Sequence, residues 1–130
     1  MLRLTARHAD MWNTWTCNTP ARVAEFRARV DATCVEVGRD PATLARTVTA
    51  MVDLPGFADV PRVPWVTRFR ARDEPPLSGS PAEVAAALRD LAKAGISQVQ
   101  LCLEPNTLAG IEAGARVLDA LDRIGTAPRE

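Results

Sequence analysis

The chain has 130 residues, of which 47% are hydrophobic and 25% are charged, and this is the length and composition of one globular domain with a sizeable core. Sixteen basic residues balance sixteen acidic ones, so the net charge gives no overall attraction to nucleic acid or to an anionic membrane. The clustered arginines Arg62, Arg68, Arg70 and Arg72 are interrupted by apolar residues and followed by Asp73, which predicts a solvated loop face.

The sequence also lacks the features of membrane, secreted and zinc-binding proteins. No apolar run approaches the ~18 residues of a membrane-spanning helix, and the N-terminus has no hydrophobic signal core, so we expect a cytoplasmic protein. The three cysteines, Cys17, Cys34 and Cys102, are too few and too scattered for a disulfide framework. With the single histidine, His8, they form no zinc-site spacing, so no metal site is expected.

The first predicted elements are a short helix end and a strand. Leu2, Leu4 and Ala6 can form the buried side of a last helical turn. The segment Met11 to Trp15 is short and aromatic-rich, and it predicts a strand. The only histidine, His8, lies on the helix before this strand, where a packing or surface role is favoured over catalysis.

A longer helix and a second strand follow. Thr19 and Pro20 form a favourable helix start, because threonine can cap the first amides and proline needs no amide partner there. The helix ends at Gly38, and its apolar residues recur at three- and four-residue steps on one face. The β-branched segment Thr47 to Val52 predicts a strand buried on both faces. The apolar stripe of the helix is Val23, Phe26, Val30, Cys34 and Val37.

Residues 55–79 form a Pro-rich loop insertion. Five prolines and two glycines in this span argue against a helix, although Trp65 to Thr67 is compatible with a short extended piece. Loops of this length are usually lids, binding loops or disordered segments. The sequence leaves these three alternatives open.

The last part of the chain predicts a helix, a strand and a helix. Ser80 to Glu83 form a capping box with proline at the first helical position. In the strand at residues 96–103, apolar and polar residues alternate between the two faces, and Thr107 can cap the final helix. The predicted buried stripe of the first helix is Val84, Ala85, Leu88, Leu91 and Ala92, and that of the last helix is Leu108, Ile111, Ala115, Leu118 and Leu121. One face of the strand carries Val99, Leu101 and Leu103, and the opposite face carries Gln98, Gln100 and Cys102.

Strands that alternate with amphipathic helices imply parallel pairing and right-handed connections. The pattern alone is compatible with an open α/β sandwich and with part of a closed barrel.

The chain contains, in order, the segments ARHADMWN, GRDP, GSPAEV and AGISQVQL, followed by the final helix. The first has the pattern alanine-arginine-aromatic/His-alanine-aspartate-x-tryptophan-asparagine. This pattern and the order of the segments resemble the luciferase-like flavin or deazaflavin monooxygenases, the bacterial luciferase superfamily. The resemblance implies a TIM-type (β/α)8 barrel, of which this chain matches the C-terminal portion, about three βα units. Met11–Trp15, Thr47–Val52 and Gln98–Leu103 would be its last three strands.

A barrel of this type needs about 250 residues, so roughly half of the family fold has no counterpart here. We therefore expect residues 1–130 to form a single partial barrel domain. Three parallel strands alone would leave unpaired edges and a broad apolar face. The expected partners are a missing barrel half supplied by another chain, or further copies through self-association, and a truncated product is the remaining alternative.

The resemblance places the reactive site at the carboxyl ends of the strands. The candidate cofactor-binding residues are therefore Asn13 and Trp15 after the first strand, Asp53 after the second and Glu104 after the third. Each also has a purely structural interpretation, because asparagine and aspartate are common turn residues and tryptophan commonly covers a sheet. No specific catalytic residue is identified.

The implied function is that of a C-terminal fragment of a coenzyme F420- or FMN-dependent oxidoreductase or monooxygenase acting on a small molecule, inactive without the N-terminal half. In such enzymes the cofactor carries the chemistry and the protein supplies position and electrostatics. One alternative is a degenerate half-barrel that serves only for oligomerisation or interaction. Another is an unrelated open α/β binding domain, whose mark would be helices on both faces of the sheet.

Overall fold

The computed structural model describes residues 1–15, 17–57, 59–60 and 74–126. These residues form helices and strands in nearly the order expected from the sequence. Their bounds are α1 Leu2–His8, β1 Met11–Trp15, α2 Pro20–Glu36, a 3-10 turn Pro41–Thr43, β2 Ala45–Asp53, β3 Leu77–Ser78, α3 Pro81–Lys93, β4 Gln98–Glu104 and α4 Leu108–Thr126. Among the described residues, no helix is both long enough and apolar enough to cross a membrane.

The central strand of the sheet is β2, and all of its neighbours run parallel to it. Strand β4 pairs with it from Thr47 to Asp53. Strand β1 pairs with residues 45–49, and β3 pairs with Val52 and Asp53. Because β4 occupies one edge of β2 along the whole of this length, β1 and β3 must follow one another along the other edge. The predicted parallel pairing is confirmed.

The short strand β3 was not predicted. Leu77 and Ser78 lie inside the span expected to be a Pro-rich loop, yet they pair with the last two residues of β2. Two residues carry no periodicity of their own, so only the neighbouring strand identifies them as a strand. The extended piece expected at Trp65 to Thr67, the arginine cluster and the chain end after residue 126 lie outside the described residues.

All four helices pack on one face of the sheet. The main core joins residues of α2, α3 and α4 to Val48, Ala50 and Val52 of β2, and a smaller core joins α1 to α2 around Ala6 and Val30. The helices contact one another in the order α1, α2, α3, α4. Helix α1 is therefore outermost at the β1 edge and α4 is outermost at the β4 edge. The sandwich alternative, with helices on both faces, does not match the described residues.

The predicted helix starts are confirmed by their caps. Thr19 Oγ1 accepts a hydrogen bond from the Arg22 N–H at 3.3 Å, and Ser80 and Glu83 form the reciprocal capping box. Thr107 Oγ1 accepts from the Gly110 N–H at 3.1 Å. Each cap satisfies an amide that the first helical turn leaves without a partner.

The predicted inward stripe of α4 is confirmed for Leu121, which packs against the main core, and is wrong for most of its other members. Leu108 is 74% exposed and Ile111 and Leu118 are each 52% exposed. The side that faces the sheet instead carries Val117 and small residues. A Cβ at Gly114 would lie 2.9 Å from Leu103 Cδ1, so a larger residue there would require the end of the Leu103 side chain to move. Ala92 of α3 was also expected in a buried stripe and is exposed.

Arg39 ties the end of α1 to the turn before β2. Its Nη1 donates to the carbonyl oxygens of Ala6 and Ala9 at 3.1 and 2.7 Å. Its Nε and Nη2 donate to the hydroxyl and carbonyl oxygens of Thr43, each at 2.9 Å. One guanidinium therefore satisfies the carboxyl end of α1 and fixes the chain direction into β2.

We expect Arg39→Ala to lower the free energy of unfolding by roughly 2 kcal/mol, because each hydrogen bond contributes about 1 kcal/mol net and the site is partly open to solvent. Chemical denaturation followed by circular dichroism measures this change. The control is Arg3→Ala on the exposed side of α1, which should stay within about 0.5 kcal/mol of the unchanged protein. Equal losses in the two variants would contradict the structural role of Arg39.

Candidate functional site

One face of the sheet carries no helix within the described part of the chain, and we call it the helix-free face. The strand register brings its side chains into rows: Asn13 lies level with Thr47, Trp15 with Thr49, and Asp53 with Glu104. Its residues are Met11, Asn13 and Trp15 of β1, Ala45, Thr47, Thr49, Met51 and Asp53 of β2, and Gln98, Gln100, Cys102 and Glu104 of β4.

A hydrogen-bonded ladder of polar side chains crosses this face. Thr47 Oγ1 donates to Asn13 Oδ1 at 3.0 Å, and Asn13 Nδ2 donates to Thr49 Oγ1 at 3.2 Å. Thr49 Oγ1 in turn donates to Gln100 Oε1 at 3.5 Å. The Asn13 amide is thus held by two threonines of the next strand, with its oxygen accepting and its nitrogen donating. Such a chain fixes the orientation of each amide.

The two tryptophans of β1 lie on opposite faces. Trp12 points to the helices, where its ring centroid is 6.2 Å from that of Phe26. Trp15 lies on the helix-free face and is 40% exposed. Trp12 packs against the smaller core, whereas Trp15 presents part of its ring beside the polar ladder. A partly exposed indole can stack on a flat ring of a ligand, and the oriented amides beside it can then bind the edge of that ring.

Two carboxylates lie at the carboxyl ends of the central strands. Asp53 and Glu104 are register partners, and Glu104 is only 6% exposed. Two positions earlier on the same face, burial and then the charge of Glu104 raise the pKa of the Cys102 thiol above its ordinary value. Cys102 is therefore a neutral, weakly reactive thiol at neutral pH.

The four predicted site residues share this face but form two separate groups. Trp15 is level with Thr49, four residues before Asp53, which corresponds to about 13 Å along the strand. All four placements need correction, because each residue lies in a strand rather than after it: Asn13 is inside β1, and Trp15, Asp53 and Glu104 are the last residues of β1, β2 and β4. Strand β1 has its predicted bounds, whereas β2 and β4 each extend one residue beyond the predicted end, to the paired Asp53 and Glu104.

Asn18, in the connection after β1, and Glu74, before β3, make contacts near the strand ends that the sequence reasoning missed. Asn18 Oδ1 accepts from the Met51 N–H at 3.1 Å, and its Nδ2 donates to the Pro75 carbonyl at 2.8 Å. The carboxylate of Glu74 accepts from the Asn18 N–H at 2.6 Å and from the Thr19 hydroxyl at 2.8 Å. The returning Pro-rich segment is thereby fixed beside β2, with an acidic group at the favourable N-terminus of α2.

The remaining sequence candidates do not join the site. His8 is exposed on α1, just before the amino end of β1, whereas the candidate site residues lie further along the strands. Cys17 and Cys34 are buried, and all three cysteines are free thiols. Among the described residues, no group of three or more histidine, cysteine or acidic side chains is arranged to hold a metal ion.

The side chains of the helix-free face fit the ring of a flavin or deazaflavin better than its phosphate. Asn13, Thr49 and Gln100 supply oriented donors and acceptors for the carbonyl and N–H edge of such a ring, and Trp15 supplies an aromatic surface. The described part of this face contains no lysine or arginine. A phosphate would therefore need basic or amide donors from outside this face.

Burial and the nearby Glu74 carboxylate raise the pKa of the Cys17 thiol from 9.0 to about 11, against the opposite effect of Arg22. The folded state disfavours the Cys17 thiolate, whereas the unfolded chain ionises this thiol freely. Ionisation of Cys17 therefore leaves the free energy of unfolding unchanged below pH 9 and lowers it as the pH rises from 9 towards 11. The chain contains no tyrosine, so few other groups ionise in this range.

We expect Cys17→Ala to flatten the fall in unfolding free energy between pH 9 and pH 11, measured by urea denaturation at a series of pH values. The residual slope comes partly from Cys102, whose pKa is also raised. The control is Thr33→Val on α2, which removes no titratable group and should leave the slope close to that of the unchanged protein. An unchanged slope in Cys17→Ala would refute the assignment.

Neither a known protein family nor a curated protein sequence matches the chain. Solved structures do match. An F420-dependent secondary alcohol dehydrogenase, solved with an F420-acetone adduct, aligns with 92% of this chain and 45% of its own, at a TM-score of 0.66 and 14% identity. The coenzyme F420-dependent tetrahydromethanopterin reductase of Methanopyrus kandleri aligns with 95% of this chain and 48% of its own, at a TM-score of 0.66 and 16% identity. This chain thus has the α/β fold of part of these F420-dependent enzymes and spans less than half the length of either one.

Proposed function

We propose that this chain is the C-terminal portion of a luciferase-like, coenzyme F420-dependent oxidoreductase, and that its helix-free face is one wall of the coenzyme site. The observation that carries the proposal is the position of Trp15 and the Asn13 ladder on the one sheet face without helices, in a fold similar to that of F420-dependent enzymes. Barrel enzymes of this type bind their ligands at the carboxyl ends of the strands, and Trp15 is the last residue of β1 on the face that would turn inward.

The role of each residue follows from its contacts. Thr47 and Thr49 hold the Asn13 amide in one orientation, so it can present a donor and an acceptor without reorganisation. Trp15 offers part of its ring for stacking, and Gln100 extends the polar row to β4. The bound coenzyme would supply hydride transfer, while these side chains position it and exclude water.

Asp53 and Glu104 form a second part of the proposed site, nearer the substrate. Their carboxyl groups lie at the strand ends in register, where a small molecule would meet the coenzyme. Glu104 is nearly buried, and a buried carboxylate orients polar substrate groups strongly because little water competes. We place both residues in substrate positioning and assign no proton transfer to either.

The proposed site is incomplete in a single chain. The sheet of the described residues has four strands, two of them following one another along one edge of β2, whereas a closed barrel of this type has eight strands. Further protein must therefore cover the helix-free face, and we expect a single copy to lack oxidoreductase activity. The three free cysteines support a reducing, cytoplasmic setting. FMN and monooxygenase chemistry are the alternative occupant and activity of the same face.

A second function has its own support. The exposed Leu108, Ile111 and Leu118 of α4 form an apolar surface of the kind that marks an interface. A half-barrel that serves only for assembly would need this surface but would not need the oriented amides of the opposite face. Coenzyme binding therefore distinguishes the two functions.

We expect coenzyme F420 to bind the protein and to quench the fluorescence of Trp15. Asn13→Leu should weaken binding about tenfold, because it removes hydrogen bonds of about 1 kcal/mol each and leaves the threonine partners unsatisfied. Fluorescence titration with F420, and separately with FMN, measures the two affinities.

The matched control is Thr33→Val on α2, which removes one hydroxyl on the far side of the helix layer and should leave the affinity unchanged. Thermal unfolding of both variants shows whether the fold is retained. Tighter binding of FMN than of F420 would shift the proposal to the flavin alternative. Absence of binding of either coenzyme to the assembled protein would refute it and favour the assembly function.

A further inference from the structure

One edge of the central strand β2 has a gap that no strand fills within the described part of the chain. On this edge β1 ends level with Thr49, and β3 begins level with Val52. The backbone N–H of Met51 lies in the gap, where it donates to Oδ1 of Asn18 at 3.1 Å. A buried N–H needs an acceptor, and here one side chain supplies what a neighbouring strand supplies elsewhere.

The Asn18 side chain is fixed at both ends of its amide. Besides accepting from Met51, it donates through Nδ2 to the carbonyl oxygen of Pro75 at 2.8 Å, two residues before β3 begins. An N–H requires an oxygen and a carbonyl requires an N–H, so these partners allow only one orientation of the amide. The residue is 4% exposed, so little water can replace either partner. Asn18 therefore joins the connection after β1 to β2 and to the segment that leads into β3.

The main chain of Asn18 is held by a carboxylate. Glu74 accepts from the Asn18 N–H at 2.6 Å and also binds the start of α2. Arg22 and Glu25, which pair with each other at 2.6 Å, also lie near this junction, because both act electrostatically on the neighbouring Cys17. Glu74 thus holds the backbone of Asn18 while the side chain reaches β2.

The contact with β2 also holds the end of β1. Trp15 is the last residue of β1 and lies three positions before Asn18. Towards the amino end, its backbone is held by the pairing with β2. Towards the carboxyl end, Asn18 returns to β2 two residues beyond Thr49. A strand end that is held on one side only opens easily, so the bond to Met51 keeps Trp15 in place on the helix-free face.

We propose that Asn18 is a positioning residue of the coenzyme wall, which sets the position of the Trp15 ring through its hydrogen bond to Met51. On the helix-free face, Met51 lies along β2 between the two groups of candidate site residues, so the bond is made within the strand that joins them. The consequence for coenzyme binding rests on the proposed function, whereas the consequence for Trp15 does not.

The indole N–H signal of Trp15 in two-dimensional NMR tests the proposal in the protein without coenzyme, and its loss in Trp15→Phe identifies it. Asn18→Leu removes both hydrogen bonds of the amide at similar volume, so we expect it to displace this signal and to weaken F420 binding about tenfold. Asn18→Ser is too short to reach both partners and should act in the same way if the leucine variant does not fold. The control is Arg39→Ala, which destabilises the fold away from this junction and should leave both the signal and the affinity unchanged.

Asn18→Asp provides a rescue that depends on pH. The introduced carboxyl group can accept from the Met51 N–H and, when protonated, can donate to the Pro75 carbonyl as the amide does. When ionised, it repels that carbonyl oxygen and the nearby Glu74. Burial and the neighbouring carboxylate raise the pKa of such a group, so we expect a displaced Trp15 signal at about pH 8 that returns to its place at about pH 5. The unchanged protein, measured at both pH values, is the control.

The two measurements separate this inference from the proposed function. A Trp15 signal that stays in place in folded Asn18→Leu or Asn18→Ser would overturn the role of Asn18, and so would a displaced signal with an unchanged affinity for F420. An equal displacement in Arg39→Ala would also overturn it, because that result indicates a general loosening of the fold. If the unchanged protein does not bind F420, the proposed function fails, while the NMR signal still decides whether Asn18 positions Trp15.

Discussion

The parallel register of β2 with its neighbours is the constraint on which the rest of the structure depends. Because successive side chains of a strand point to opposite faces, this register assigns every strand residue either to the helices or to the helix-free face. Val48, Ala50 and Val52 join the core, while Thr47, Thr49 and Asp53 join the proposed site. A shift of one residue would exchange the two sets. Core stability and site composition are therefore specified by the same pairing.

Much of the fold was predictable because the deciding information is local. Helix starts at Thr19 and Ser80 follow from capping chemistry within four residues, and the faces of β4 follow from simple alternation. The failures involve contacts between distant parts of the chain. The buried side of α4 was assigned to its large apolar residues, since such residues usually mark the side that faces the core. In the structure Gly110 and Gly114 lie close to β4 and the loop after it instead. Composition gives no indication of that preference.

The candidate site shows the same division. The sequence resemblance identified Asn13, Trp15, Asp53 and Glu104, and the structure places all four on one face. The sequence did not show that the four residues form two groups. The distance between Trp15 and Asp53 depends on the register, in which β1 ends level with Thr49 while β2 continues to Asp53. The contacts of Asn18 and Glu74 join segments more than fifty residues apart, so no local pattern could predict them.

The glycine side of α4 has a mechanical consequence. A Cβ at Gly110 would collide with the carbonyl oxygen of Pro105, and one at Gly114 would meet Leu103, so both glycines act at the end of the helix nearest the strand ends. Arg89 of α3 holds the other end, where its Nη2 donates to the Leu121 carbonyl oxygen at 3.3 Å and lies 2.6 Å from the position of a Cβ at Gly125. The helix therefore has a glycine contact near each end, one with the loop after β4 and one with α3. A larger side chain at Gly110 would displace the helix start from the strand ends, while one at Gly125 would disturb only the contact with Arg89.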